Sequence, residues 1–121
     1  IVLTLYALGA HGIMTLNDFK ATKGDKLLGI KSLPVILGRK SATLVACLIM
    51  LFPQLIVISL FYFWGSLILA VTLAVCVLLQ FLSMIYLIRD PEKNTPFFNM
   101  TGVLLYIAGM MLSANGLYLM N

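Results

Sequence analysis

Residues 17–40 carry most of the charged side chains of the chain, and their types suit the binding of a phosphorylated ligand through a metal ion. Asp18 and Asp25 are seven residues apart. If the helix that precedes them continues through this segment, seven residues make two turns and both carboxylates point to the same side. Two carboxylates that face one space can hold a hard divalent cation, and Mg²⁺ is commonly held by one or two carboxylates with phosphate oxygens and water.

Lysines accompany the two aspartates along the same segment, at Lys20, Lys23, Lys26 and Lys31. A lysine ammonium group binds phosphate as a point charge. Acids that hold Mg²⁺ and lysines that hold phosphate together suit a Mg²⁺–diphosphate ligand. At a membrane surface, that ligand would be the head of an isoprenoid diphosphate whose tail lies among apolar helices.

The same segment has a plainer interpretation, in which residues 17–40 form a solvated loop and the acids merely balance the lysines. Positive charge in the loops on one side of a membrane protein is common, and two carboxylates among lysines are by spacing alone a weak signal. His11 also has two interpretations, because a histidine in a membrane helix more often makes an interhelical hydrogen bond than it takes part in catalysis. The residue types alone leave these alternatives open.

The elements that position these residues must be membrane helices, because the composition excludes a water-soluble globule. The chain has 121 residues, of which 62% are hydrophobic and 10% charged, whereas a soluble domain is nearer half apolar and a quarter charged. Intrinsic disorder requires the opposite composition. In lipid the backbone must satisfy its own hydrogen bonds, so we predict an all-α polytopic transmembrane bundle.

Uncharged stretches divide the chain into four predicted helices, at about 1–16, 41–63, 67–88 and 100–120. Residues 41–88 contain no charged side chain. Because one crossing takes about 20 residues, this stretch predicts two crossings with a turn at residues 64–66. The first helix covers only about 24 Å of a roughly 30 Å core, so we expect Ile1 to lie inside a helix that starts earlier.

The basic residues predict the orientation of the bundle. All eight lysines and arginines fall within residues 18–40 and 89–93, and alternating crossings place both windows on one side. The turn at 64–66 and the C-terminus carry no basic residue. The positive-inside rule therefore predicts that both charged loops are cytoplasmic, and the net charge of +4 needs no nucleic-acid partner to explain it.

Three runs within residues 9–35 form a specific pattern: GAHGIMTLNDFK at 9–20, GD at 24–25 and GIKSLPV at 29–35. Further matching runs lie at residues 53–54, 87–91 and 99–111. This pattern resembles the chlorophyll synthase branch of the UbiA-type intramembrane prenyltransferases, the branch of the bacteriochlorophyll synthases. The resemblance covers essentially the whole chain, and its first loop is the most specific part.

The resemblance implies a bundle of nine transmembrane helices, of which the four segments resemble the sixth to ninth, with residues 17–40 as the second aspartate-containing loop. Residues 1–121 would be the C-terminal part of one membrane domain. The implied reaction transfers a geranylgeranyl or phytyl group from its diphosphate to the 17-propionate of bacteriochlorophyllide and releases pyrophosphate. The implied cofactor is Mg²⁺, and the membrane would be a bacterial inner or photosynthetic membrane.

The resemblance also assigns roles to the charged segment. Asp25 and then Asp18 would be the metal ligands and catalytic residues, and the diphosphate would be bound by Asn17, Lys20, Lys26 and Lys31. Two positions depart from the family pattern: Ala21 replaces a frequent aspartate, and Lys23 stands where an acid is common.

The aspartate-rich first loop of the family does not occur in these residues, so we expect this chain alone to be inactive. The alternative is a non-catalytic membrane subunit that packs against a photosynthetic pigment–protein complex. The sequence does not distinguish the two prenyl donors, nor does it predict an oligomeric state.

Overall fold

The structure is a computed structural model that describes residues 1–121, and it contains helices and no strands. In chain order the helices are α1 (Val2–Asn17), a 3₁₀ turn (Asp18–Ala21), α2 (Thr22–Leu28), α3 (Leu33–Leu37), α4 (Arg39–Phe63), α5 (Leu67–Arg89), α6 (Pro91–Met100) and α7 (Gly102–Met120). The predicted all-α fold class is confirmed.

Three stretches are long and apolar enough to cross a membrane: α4, α5, and α6 together with α7. They contain 25, 23 and 30 residues, and one crossing needs about 20. Large apolar side chains on these helices point away from the bundle, such as Ile68, which is 86% exposed. Lipid covers such surfaces in a bilayer, and the protein is accordingly an integral membrane protein.

The four long helices form a ring in which α1 contacts α4 and α7, and α5 contacts the same two helices. The turn between α4 and α5 passes through Gly65, whose φ of 81° is unfavourable for residues with a Cβ. Fully buried side chains fill the interior of the ring, among them Met50, Phe61 and Tyr106.

Small residues allow the helices of the ring to approach closely. A Cβ atom built on Gly12 of α1 would collide with the Ala46 carbonyl oxygen of α4. The seven-residue spacing of Gly102, Gly109 and Gly116 predicts a close-packed stripe on α7. Gly116 lies against Leu69 of α5 and Gly109 against the Tyr6 hydroxyl of α1, whereas Gly102 faces Phe98 of the adjoining helix α6.

Most residues of the predicted connection at 17–40 are helical. The helical path continues past α1 because one side of it stays buried against the bundle, at Leu16, Phe19 and Thr22. Gly29 ends α2 with a φ of 71°, and Gly38 precedes α4 with a φ of 80°. These two glycines divide the segment into short helices.

The predicted connection at residues 89–99 is also helical in its greater part. Asp90 caps α6 by accepting a hydrogen bond from the Lys93 backbone N–H, and Pro91 occupies the first turn, where proline is well tolerated. The backbone at Thr101 leaves the helical region, with φ −121° and ψ −71°. The last long helix therefore begins at Gly102 rather than at residue 100.

Candidate functional site

The two aspartates lie on a nearly continuous helical path at the charged end of the bundle. Asn17 is the last residue of α1, Asp18 begins the 3₁₀ turn and Asp25 lies in the first turn of α2. The backbone stays right-handed and helical at Asp18 (φ −64°, ψ −17°) and at Ala21 (φ −93°, ψ −4°). The helical continuation that the spacing argument assumes is present, with a tighter 3₁₀ turn inside it.

Neither carboxylate has a partner within the chain. Asp18 is exposed and Asp25 is half-buried, and the one ion pair of the structure joins two other residues. No group of three or more histidine, cysteine or acidic side chains comes together anywhere. Asp18 and Asp25 carry oxygen ligands of the kind that Mg²⁺ takes together with phosphate oxygens and water.

Packing of one side of this segment positions the acids at the surface. Phe19 is 7% exposed and Thr22 is 6% exposed. The Thr22 hydroxyl donates to the Phe19 carbonyl oxygen at 3.0 Å, which fixes its side chain towards the bundle. Because these residues anchor the 3₁₀ turn and the start of α2, the polar residues on the remaining sides stay accessible to a ligand.

Gly29, in the left-handed αL conformation, ends the helix after Asp25. The Ile30 backbone N–H donates to the Asp25 carbonyl oxygen at 2.8 Å, a bond typical of helix ends closed by glycine in the αL conformation. Lys26 precedes this turn and Lys31 follows it, and both are exposed without an ion pair. Asn17 is exposed as well. These three residues are accessible, but no side-chain hydrogen bond or ion pair joins them to the aspartates.

Lys20 and Lys23 line a cleft that the aspartates do not line. The cleft has a volume of about 580 Å³ and lies between the 3₁₀ turn, the start of α4 and α6. Its lining residues are Phe19, Lys20, Lys23, Arg39, Glu92, Thr95, Pro96, Asn99 and Met100. Lys20 thus lines a cleft to which neither Asp18 nor Asp25 contributes.

An ion pair between Arg39 and Glu92 closes one side of this cleft. Arg39 begins α4 and Glu92 lies in the first turn of α6, so the pair joins the two charged windows of the sequence at the same end of the bundle. A side-chain hydrogen bond from Asn94 to the Tyr86 carbonyl oxygen, at 2.7 Å, fixes α6 against α5. The walls of the cleft are thereby held by polar contacts.

Buried polar contacts inside the bundle are the feature that sequence analysis missed. The amides of Gln54 and Gln80 donate to each other, both at 3.0 Å. The Tyr6 hydroxyl lies 3.1 Å from the Ser113 hydroxyl, and Tyr106 donates to the Tyr6 carbonyl oxygen. Polar residues inside uncharged stretches were the available signal. The interhelical bond considered for His11 is absent, because its side chain is exposed and unbonded.

Comparison with known proteins gives consistent matches. The UbiA prenyltransferase family matches residues 1–108. The chain is 49% identical over 113 residues to the bacteriochlorophyll synthase 33 kDa chain of Cereibacter sphaeroides, covering 93% of this chain and 37% of that relative. It is 44% identical over 113 residues to the bacteriochlorophyll synthase 34 kDa chain of Chloroflexus aurantiacus, covering 93% and 36%. Chloroplastic chlorophyll synthase of Avena sativa is 31% identical over 116 residues, covering 94% and 31%.

The matched region contains both the acid-bearing segment and the cleft, since it runs from α1 into α7. The chain spans a little over a third of the length of the bacteriochlorophyll synthase chains, 37% and 36%. No solved structure matches it significantly. The family match covers most of the sequence, and the chain belongs to the UbiA prenyltransferase family.

Proposed function

We propose that this chain supplies the second aspartate-containing site of a bacteriochlorophyll synthase. The reaction transfers a geranylgeranyl or phytyl group from its diphosphate to the 17-propionate of bacteriochlorophyllide and releases pyrophosphate. The observation that carries the proposal is the pair of unpartnered carboxylates, Asp18 and Asp25, in a chain 49% identical to a bacteriochlorophyll synthase chain. Acids without internal partners at the end of a membrane helix are available for a ligand.

The residues of the chain bind and orient the departing group. Asp25 and Asp18 would hold a divalent metal ion, which we propose to be Mg²⁺. When bound, that ion supplies Lewis-acid stabilisation of negative charge on pyrophosphate. Lys20, Lys26 and Lys31 add positive charge, and Asn17 adds an amide donor. Because Asp25 is half-buried and Asp18 is exposed, we assign Asp25 the larger role.

The transfer itself needs no nucleophile from this chain. A carboxylate oxygen of the bacteriochlorophyllide forms a bond to the allylic carbon, while the bond between that carbon and the diphosphate oxygen breaks. The bonding electron pair leaves with pyrophosphate. The helices contribute by holding the two reactants in position and by excluding water from the apolar tail.

We also propose that the charged end of the bundle faces the cytoplasm of a bacterial inner or photosynthetic membrane. The Arg39–Glu92 contact places both basic windows at this end, and the opposite turn carries no basic residue. This asymmetry supports a positive-inside orientation. Isoprenoid diphosphate would then reach the acids from the cytoplasmic surface while its tail enters the bundle.

A chimera tests the function directly. In it, this chain replaces the matching third of the Cereibacter sphaeroides relative, and the product is assayed with geranylgeranyl diphosphate, phytyl diphosphate and bacteriochlorophyllide. We expect the chimera to esterify the pigment and the 121-residue chain alone to be inactive. A well-folded chimera without activity, together with copurification of the chain with a pigment–protein complex, would instead support the non-catalytic alternative.

A further inference from the structure

The cleft beside α6 carries positive charge, at Lys23 and Arg39, that the proposed reaction does not use. Its lining contains three cations and one carboxylate, and that carboxylate, Glu92, is already paired with Arg39. Lys20 and Lys23 are left without a counter-charge. Neither aspartate lines the cleft.

Asn99 adds a neutral donor to the same cleft. The Oδ1 atom of Asn99 is buried and has no hydrogen-bond partner, while the residue as a whole is half-buried and lines the cleft. The amide nitrogen is therefore the polar atom that Asn99 offers there. The Thr95 hydroxyl is engaged with the Pro91 carbonyl oxygen. The free polar groups of the cleft are thus donors, which selects an anion.

The position of the cleft favours an anion that belongs to the membrane. It lies where α1 ends and where α4 and α6 begin, the level at which these helices leave the apolar core. Met100, which is 73% exposed, forms an apolar part of its lining. Basic pockets between transmembrane helices commonly hold anionic lipid headgroups, and an apolar rim at this level can contact the acyl chains.

We propose that this cleft binds the phosphate of an anionic phospholipid headgroup, with Lys23 and the Asn99 amide as its donors. A free phosphate or pyrophosphate ion shares the anion chemistry but lacks the acyl chains that would contact Met100. The Arg39–Glu92 pair forms one wall of the cleft, and the Glu92 carboxylate lowers the net positive charge of the lining. This lipid site is independent of prenyl transfer, so it can be measured without substrate.

Native mass spectrometry of the protein in detergent measures the binding. The probes are phosphatidylglycerol, phosphatidylcholine, phosphatidylethanolamine, inorganic phosphate and inorganic pyrophosphate. We expect phosphatidylglycerol to bind more tightly than phosphatidylcholine, and Lys23→Gln to weaken it by about five-fold, since one lysine near an anionic surface contributes about that factor. Asn99→Leu should also weaken it. Lys40→Gln is the matched control, because Lys40 is exposed at the same end but does not line the cleft.

Glu92→Gln is a second test, in which the affinity for phosphatidylglycerol should increase rather than decrease. It removes the carboxylate and frees Arg39, so phosphatidylglycerol should bind several-fold more tightly. The proposal would be overturned if phosphatidylethanolamine bound more tightly than phosphatidylglycerol and if Glu92→Gln abolished that preference. Glu92 would then be recognising the ammonium group of the lipid. Unchanged affinity in Lys23→Gln would also overturn it, and so would pyrophosphate binding with the same dependence on Lys23. Thermal unfolding of each variant shows whether it is folded.

Discussion

Polar groups inside the bundle are paired, whereas most charged groups at its end are not. Gln54 and Gln80 share two hydrogen bonds between α4 and α5, and Tyr6 bonds with Ser113 of α7. At the charged end, the single ion pair is Arg39–Glu92. A buried polar group without a partner is costly, so the interior allows only satisfied groups, while water or a ligand can satisfy the groups at the end.

This difference distinguishes polar groups that stabilise the fold, inside the bundle, from polar groups that are available to a ligand, at its charged end. Substitution of a paired interior residue should change stability, because its partner is then left buried and unsatisfied. Substitution of an unpaired residue at the charged end should change binding or activity and leave stability nearly unchanged. An interior variant that changed activity but not stability, or a variant of an unpaired residue at the charged end that changed stability but not activity, would contradict this distinction.

The largest expected effect is that of Asp25→Asn on activity. Loss of one group that stabilises charge on a leaving group lowers turnover by about 10²–10³-fold, and we expect a loss of this order at limiting Mg²⁺ in the chimera. Stability should not change, since the carboxylate has no partner in the chain. Initial rates across a Mg²⁺ titration and thermal unfolding in detergent measure the two quantities.

Asp90→Asn is the matched control for this substitution. Asp90 is an exposed acid at the same end that caps α6, and asparagine caps a helix about as well as aspartate. Its activity and its Mg²⁺ dependence should equal those of the unsubstituted chimera. If Asp25→Asn showed the same Mg²⁺ dependence as this control, Asp25 would not be a metal ligand.

The next effect is on stability, from Gly12→Ala. A Cβ at this position would collide with the Ala46 backbone, which cannot move as a side chain can, so we expect a loss of about 1–3 kcal/mol, as for other overpacked sites. Gly24→Ala is the control, because a Cβ there meets no atom within 4 Å and should stabilise α2 by up to about 1 kcal/mol. Thermal unfolding that ranked the two variants in reverse order would contradict the close α1–α4 contact at Gly12.

Composition and charge patterning predicted the apolar part of this fold closely. Residues 41–63 and 67–88 were predicted as crossings, and α4 and α5 occupy Arg39–Phe63 and Leu67–Arg89. Length and the absence of charge are sufficient there, because lipid imposes helix on any apolar span. The start of α6 was missed, although an aspartate N-cap at Asp90 followed by Pro91 is a helix-start signal.

The charged segment was harder to predict because solvation and packing compete there. The lysines of residues 20–31 suit a loop and a surface helix equally well. The burial of Phe19 and Thr22 against the bundle favours the helix. The cleft that Lys20 and Lys23 line is completed by α6, a distant part of the chain. No local spacing contains that information.

Gln54→Leu should have a smaller effect than Gly12→Ala, and only on stability. It leaves the Gln80 amide buried at 0% exposure without its partner, which costs about 1–2 kcal/mol. The double variant Gln54→Leu/Gln80→Leu should recover part of this loss, because no unsatisfied amide remains. A double-mutant cycle in bicelles gives the coupling, and additive losses would show that the two amides do not pair.

The smallest effect belongs to the ion pair that bounds the cleft. The side chains of Arg39 and Glu92 are 30% and 73% exposed, and pairs this open to water contribute less than about 1 kcal/mol. Glu92→Gln should therefore lower the free energy of unfolding by less than that, and the difference should disappear at high ionic strength because salt screens exposed charges. Unfolding at low and high salt measures it, with Lys93→Gln as the control for a charge on the same helix. A loss that persisted in high salt would mean that a buried contact joins α4 and α6. The charged end would then contain polar groups that stabilise the fold, as the interior does.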